Sequence, residues 1–563
     1  MNLLLVLNNK RTIFLLAFIF FLGLFLRFYQ LGEVPVSLHR DEATLGYNAF
    51  SILKTGKDMG GNFLPLHIDS FLFSPAGYSY FSIPFIFLFG LNEFSVRFAS
   101  AFFGILTVPI VFLIAQNLFN NSKNKDIIAF SSAVLLAISP WYINLSRTAS
   151  ENTIVTFFIC LGVYLYILFI KSKNKIYLFL GFVSLALTLF IYQAPRAFLP
   201  IFIPFMLLSL NQHKNIYKNK IIIGFLFILL IIFPIVFILG SKDLSLRITT
   251  LSIFTQKEAQ LVAHDQRLKD FISGIPLLPS VLFHNKITSL FLIFLDNYFK
   301  HFSFDFLFLD GSFPQRYKIP NMGLLYLFEL PLLVIALLKL SKKYKRELLF
   351  LAGWILISVV GSALAFDDVP NMQRTLMGMP AFSILSGYGA VFVFTSFKKY
   401  KPWGKIAIGF FLILVFYNFF YYLVQYYSQG RLYRPWYRQD GYKELVSQVN
   451  NLMPSFEKAV ITNRESYPTI FFLFYSKYDP AKFQEETYRT DIRYSDHISF
   501  GRFEFSQEEC PLKTDVETKK ITGRKNILYV NSALCKEDLR ETKLIKTIKR
   551  VDDTEVFKIL KLE

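Results

Sequence analysis

The sequence predicts a polytopic α-helical membrane protein carrying a small α/β region at its C-terminal end. Three observations lead there. Of 563 residues, 53% are hydrophobic and 66 are Phe, a composition that suits lipid rather than water. Apolar runs long enough to span recur down to about residue 427. After that the pattern changes to short apolar runs separated by turn residues.

Eleven spans are expected, at about 12–29, 98–119, 127–143, 151–170, 176–192, 197–210, 221–240, 321–338, 348–365, 375–397 and 406–427. The first follows Lys10 and Arg11 but has no small-residue cleavage site behind it, so it reads as a retained helix. Residues 78–91 are apolar but short and contain Pro84, which favours a surface-lying or re-entrant helix. Charge supports that choice. With the N-terminus inside, the inner segments collect 19 Lys and Arg, while the short outer loops 144–150, 193–196 and 366–374 hold 3. Counting 78–91 as a span would invert this bias. The expected arrangement is a transmembrane domain over 1–427 and an extracytoplasmic α/β domain over 428–563. Two long outer loops, 30–97 and 241–320, join the spans. Within the second, Ser289–Asp310 reads as an interfacial helix or lid. In the C-terminal region, Gly441–Leu452 and Thr469–Tyr475 read as helices. Ala459–Thr462 and Asn526–Val530 read as buried strands, and Thr547–Leu562 as a closing strand pair. Cys510 and Cys535 can pair if that region is outside the cytoplasm, whereas Cys160 sits in a span as a packing residue.

The net charge of +20 does not indicate nucleic acid, because the basic residues cluster in short loops between spans. The chain has no glycine-rich nucleotide loop and no zinc pattern of the C-x-x-C or H-E-x-x-H kind.

The candidate chemistry lies in His39-Arg40-Asp41-Glu42-Ala43, just beyond the first span. Carboxylates at a bilayer edge are costly without partners or a task. Asp41 can act as a general base toward a hydroxyl, with Glu42 orienting an acceptor or holding a cation. The competing reading is structural, with Asp41 as N-cap and Glu42 in the first turn of a helix over Ala43–Leu53. Arg27, Arg97, Arg147, Arg196 and Arg374 sit at predicted outer ends of spans, where their planar donor forks suit a phosphate at headgroup level. Singly, each reads as a snorkelling anchor. Asp367-Asp368, and His67 and Asp69 with Glu42, are weak cation candidates, and no metal site is assigned. His301, Trp141 and Tyr142 read as interfacial residues.

Asp41-Glu42-Ala43 in a first outer loop, with Arg97-Phe-Ala-Ser-Ala-Phe-Phe-Gly opening the second span, resembles the GT-C membrane glycosyltransferases of family 39. That family includes protein O-mannosyltransferases and has the lipid A aminoarabinose transferase as a relative. Ser139-Pro140-Trp141, Ser146-Arg147, Gly323-Leu324-Leu325-Tyr326 and Glu329-Leu330-Pro331 extend the likeness over most of residues 10–400. The resemblance implies that Asp41 is the catalytic base with Glu42 beside it, and that Arg27 and Arg97 serve the site or the donor phosphate. It implies an inverting transfer from a polyprenyl-phosphate sugar to a hydroxyl of a lipid, glycan or protein on the outer face of the plasma membrane. It makes no cofactor certain and leaves metal need open, a divalent metal being possible because members of the wider class differ. Many bacterial relatives carry Lys-Pro-Pro before the juxtamembrane helix. Here that stretch is Phe73-Ser74-Pro75-Ala76-Gly77, which leaves the cationic role to arginines. A transporter or flippase, a polymerase or ligase for lipid-linked sugars, and a non-catalytic scaffold are the alternatives.

Overall fold

The computed structural model describes residues 10–70, 74–211, 222, 252–255, 257–398, 400, 402–492, 497–513, 521–536 and 541–563. The expected span 221–240, apart from residue 222, and the start of the second outer loop lie outside these residues.

The helical part begins with α1 (Lys10–Phe28), followed by α2 (Arg40–Thr55). A two-stranded ladder, β1 (His67–Ile68) against β2 (Ser74–Pro75), leads into α3 (Gly77–Phe89). Thirteen residues rise only about 20 Å, so α3 alone is shorter than a hydrocarbon core. Then come α4 (Glu93–Leu118), α5 (Lys125–Ile138), α6 (Pro140–Ser146), α7 (Glu151–Ser172), α8 (Lys175–Leu187) and α9 (Pro195–Leu210). The α5–α6 pair bends by 54°, and Pro140 opens the second piece with the Ser139 side chain capping it. After the segment left undescribed follow α10 (Glu258–Ile272), α11 (Leu277–Phe283), α12 (Lys286–Lys300), α13 (Glu329–Lys343), α14 (Lys345–Ser358), α15 (Met379–Phe397) and α16 (Trp403–Val424).

Among the described residues six helices are long and apolar enough to cross a membrane, or seven if the bent pair is one span. Leu277–Leu309 meets that test too, although 11% of its apolar window is buried. The expected span 321–338 is helical only from Glu329. Gly323 explains the late start: a Cβ there would stand 2.3 Å from the Phe308 carbonyl carbon, so two backbones touch where the helix was expected to begin. On α16 the exposed side chains include Phe410, Ile413, Phe416, Tyr417 and Phe420. Such a face suits hydrocarbon.

The C-terminal region is α17 (Tyr442–Leu452), β3 (Lys458–Thr462), α18 (Pro468–Tyr475), α19 (Pro480–Glu486), β4 (Phe503–Ser506), β5 (Ile527–Ser532), β6 (Thr542–Lys549) and β7 (Glu555–Leu562). The five strands run β4-β3-β5-β7-β6, with β3 parallel to both neighbours and β7 antiparallel to β5 and β6. Each expected helix and strand is present within a few residues. Central β5 is buried throughout, as a strand covered on both faces must be. Cys510 and Cys535 form a disulfide.

This region holds α2 in place. Gly46 faces Val96 and Phe474 so closely that a Cβ would approach them to 2.4 and 2.9 Å. Tyr47 donates to the Tyr478 carbonyl at 3.0 Å, and the Arg40 N–H donates to Gln439 at 3.0 Å. The helix that begins at the Asp-Glu pair is therefore fixed from both sides.

Candidate active site

The start of α2 is a capping box. His39, in extended conformation, accepts the Asp41 N–H on Nδ1 at 3.1 Å, while Glu42 accepts the His39 N–H at 3.1 Å. The helix starts earlier than expected, and the cap is His39 rather than Asp41. The two carboxylates that follow then point into different surroundings.

Glu42 is fully buried. One oxygen accepts from the Ala149 N–H at 2.8 Å and Arg97 Nε at 3.2 Å. The other accepts from the His39 N–H, and from Arg97 and Arg438 at 3.4 Å each. Burial would push its carboxyl up, but Arg97 and Arg438 outweigh that and bring it down to about 2. Arg97 spends its remaining donors on the carbonyls of Leu31, Pro35 and Ser37, gathering the chain that leads into α2.

Asp41 instead borders a cavity of ≈ 300 Å³. Its oxygens stand 3.2 Å from Arg316, 3.4 Å from His39 and 3.8 Å from Arg40. Burial alone would raise this carboxyl; the charge of the His39 ring where it is protonated, and those of Arg316 and Arg40, outweigh it and hold the group well below the usual range. His39 itself is pushed down to about 4, chiefly by burial, so at neutral pH its ring is uncharged and accepts the Asp41 N–H.

Opposite Asp41, the cavity wall comes from two loops joined by backbone hydrogen bonds. The Phe313 N–H donates to Pro370 at 3.3 Å, and the Met372 N–H to Phe313 at 2.8 Å. One loop supplies Arg316, the other Asp367, Asp368, Gln373 and Arg374. Asn371 Oδ1 caps the second, accepting the N–H groups of Gln373 at 3.0 Å and Arg374 at 2.9 Å. Gln373 in turn donates to Glu151 at 3.1 Å. Arg374 pairs with Asp367 at 2.9 Å.

Beside this cavity lies a second, of ≈ 410 Å³, bordered by Arg196, Ala197, Phe254, Gly361, Leu364 and Ala365. The two share Tyr192, Gln193 and Arg374. Arg196, at the start of α9, meets His67 at 2.9 Å.

The five arginines expected on one phosphate-binding surface thus divide. Arg196 and Arg374 line the paired cavities. Arg27, Arg97 and Arg147 are fully buried. Arg27 donates to the carbonyls of Gly23 and Ala137, both at 3.1 Å. Arg147 donates to those of Leu26, Tyr29 and Val34. These three line neither cavity and bind backbone carbonyls instead. Arg316, Glu151 and Gln373 were not singled out from the sequence, because attention fell on arginines at span ends and Arg316 sits mid-loop. Its one local signal is the Phe313-Pro314 turn just ahead of it. Other expectations are corrected. Trp141 and Tyr142 are interior rather than belt residues, with Trp141 Nε1 donating to Met372 at 2.8 Å. His301 is buried and meets Ser362 at 2.8 Å, not an interface. Among the described residues no three His, Cys, Asp or Glu side chains gather as a metal set, and Glu42 lies apart from His67 and Asp69.

Comparison with known proteins bears on this arrangement. The family model for dolichyl-phosphate-mannose-protein mannosyltransferases matches residues 74–238. The structure of ArnT from Cupriavidus metallidurans bound to undecaprenyl phosphate superposes with a TM-score of 0.51 at 11% identity, covering 97% of both chains. The chain has the fold of the GT-C membrane glycosyltransferases. The archaeal oligosaccharyltransferase AglB from Archaeoglobus fulgidus, in complex with an inhibitory peptide and a dolichol-phosphate, shares that fold. It matches with a TM-score of 0.50 at 12% identity, over 82% of this chain and 63% of its own. An uncharacterized protein of Aquifex aeolicus is 28% identical over 210 residues, 37% of this chain and 40% of that protein. This chain therefore spans less than two thirds of the length of those two relatives.

Proposed function

We propose that this GT-C chain is an inverting glycosyltransferase that moves a sugar from a polyprenyl-phosphate donor to an acceptor hydroxyl on the outer face of the membrane. The observation that carries this reading is the pair of adjoining cavities, one holding Asp41 and the other opening between Arg196 and Arg374. ArnT is seen with undecaprenyl phosphate and AglB with a dolichol-phosphate, so a lipid phosphate suits such a groove. The lipid lies along Phe254, Leu364 and Ala365, and the two arginines meet its phosphate. The sugar then reaches through the shared wall at Tyr192 and Gln193 into the Asp41 cavity.

The acceptor oxygen attacks the anomeric carbon from the face opposite the phosphate, and the bond from that carbon to the phosphate oxygen breaks. The acceptor proton passes to Asp41, which is ionised at neutral pH. Arg196 and Arg374 stabilise the charge that grows on the leaving phosphate. With its carboxyl held so low, Asp41 is a weak base in this resting arrangement. It strengthens when Arg316 turns toward an incoming anionic donor. Glu42 and Arg97 act as positioning residues, since both are enclosed by protein. The described residues gather no set of carboxylates fit to hold a divalent cation, and no step above is routed through one.

The charge bias of the loops supports an outward-facing site and keeps Leu277–Leu309 at the surface. The Cys510–Cys535 disulfide supports the same side for the C-terminal region. The test is sugar transfer from a polyprenyl-phosphate donor by purified Asp41→Asn protein. Unchanged transfer by a folded variant would falsify the role given to Asp41.

A further inference from the structure

We infer that a third cavity, between the first outer loop and the C-terminal region, is a binding site for the carbohydrate part of the acceptor, an uncharged oligosaccharide. The inference rests on the transferase reading above and narrows its acceptor class. The cavity measures ≈ 860 Å³, within the usual range for a ligand site. One wall is the turn after α2, with Asn62 and Asp69. The other is α19 and the residues after it, with Gln484, Glu485, Tyr488 and Asp491.

The walls are built rather than incidental. The Asp58 side chain is buried and accepts the N–H groups of Asn62 and Asp69, both at 2.9 Å, closing the turn. A Cβ on Gly60 would stand 2.7 Å from the Asp69 carbonyl, so this closure needs glycine. Across the cavity, Gln484 reaches over to donate to Ser51 at 3.0 Å and the Asp58 carbonyl at 2.7 Å. Two parts of the chain far apart in sequence are thereby locked as facing walls.

The lining selects the ligand. Carboxylates, amides and hydroxyls offer donors and acceptors in alternation, as a polyhydroxylated chain requires. Lys57 and Arg489 against Asp69, Glu485 and Asp491 leave a small negative excess, which disfavours a phosphate or an acidic polymer. None of the described lining residues lies within a strand. Tyr488, 86% exposed at the border, offers a flat aromatic face on which the apolar face of a sugar ring can stack.

Its position relative to Asp41 supports the same ligand. Asp69 borders this cavity, while Ser74 and Pro75 border the Asp41 cavity. Ile68, next to Asp69, pairs directly with Ser74 across β1–β2. The β1–β2 ladder is therefore part of the wall between the two cavities. A chain of sugars anchored at Tyr488 can present its end toward Asp41.

The experiment titrates full-length purified protein against neutral hexose and N-acetylhexosamine oligosaccharides of increasing length, with acidic oligosaccharides and short peptides alongside. The variants are Tyr488→Ala, Asn62→Ala and Asp41→Asn. Neutral chains are expected to bind more tightly as they lengthen. Tyr488→Ala and Asn62→Ala should each weaken that binding about tenfold or more, and Asp41→Asn should leave it unchanged. Tyr488 is exposed enough that its loss should not move the melting temperature. Absence of neutral-sugar binding, preference for peptides or acidic chains, or binding indifferent to both cavity variants would overturn the site. Sugar transfer is scored separately. If Asp41→Asn retains transfer while the cavity still binds glycan, the catalytic reading fails and this one stands.

Discussion

Asp41 and Glu42 are neighbours in sequence, yet one borders an open cavity and the other is sealed in protein. The contrast extends to their arginines. Glu42 is met by Arg97 and Arg438, while the buried Arg27 and Arg147 bind backbone carbonyls. Asp41 is met by Arg316, which shares its cavity with Arg374. A buried carboxylate surrounded by donors organises its surroundings, whereas one at a cavity wall remains free to exchange partners. Two carboxylates one helical position apart thus face opposite surroundings, and the helix start divides them.

The sharpest way to test this contrast is on the cavity side. Asp41→Asn should lower transfer about 10²–10⁴-fold while the melting temperature stays within a degree or two of wild type. Comparable retention of activity would remove Asp41 from the chemistry.

The opposite pattern is expected on the buried side. Glu42→Ala leaves Arg97 and Arg438 buried without a counter-charge, and should destabilise the fold by about 3–5 kcal/mol, read as a fall in melting temperature and in yield of folded protein. A Glu42→Ala protein as stable as wild type, yet inactive, would move Glu42 into the reaction and erase the distinction.

Arg374→Met should raise KM for the lipid-phosphate donor about tenfold or more, as expected for loss of a charge-assisted contact, with little change in stability. Arg147→Met should do the reverse, lowering stability without a selective effect on donor KM.

A smaller effect separates the groups by pH. Glu42 titrates lower in the folded than in the unfolded chain, so its contribution is present above the unfolded value near 4.5 and is lost as pH falls toward about 2. His39 is held neutral by burial, so folding is favoured above about 6.5 and penalised as pH falls toward about 4. Melting temperature should therefore decline in two stages on acidification. His39→Gln should flatten the first stage alone, and an unchanged first stage would mean that His39 is not the group responsible.

Much of the fold was legible in the chain. Apolar runs and loop charge located nearly every described helix of the bundle, because lipid leaves few alternatives. The C-terminal helices and strands followed from the same patterning. Asp41 was legible because a carboxylate beside a span is conspicuous. The split among the arginines was not, since all five stand at predicted outer ends of spans and what folds over each is not written beside it. Arg316 was missed for the same reason: its partner is Asp41, and nothing near residue 316 announces a contact with residue 41. The His39 cap was missed because Asp is the commoner capping residue and stood close by.

The two loops stitched together at Phe313 and Met372 carry one further implication. Arg316, which restrains Asp41, and Arg374, assigned to the donor phosphate, ride on a single slab of backbone. Neither loop can shift by more than the slack of those hydrogen bonds without drawing the other along. If Arg374 meets the donor phosphate as proposed, seating a donor would be geared mechanically to the grip on Asp41, and an empty cavity would keep its carboxylate restrained.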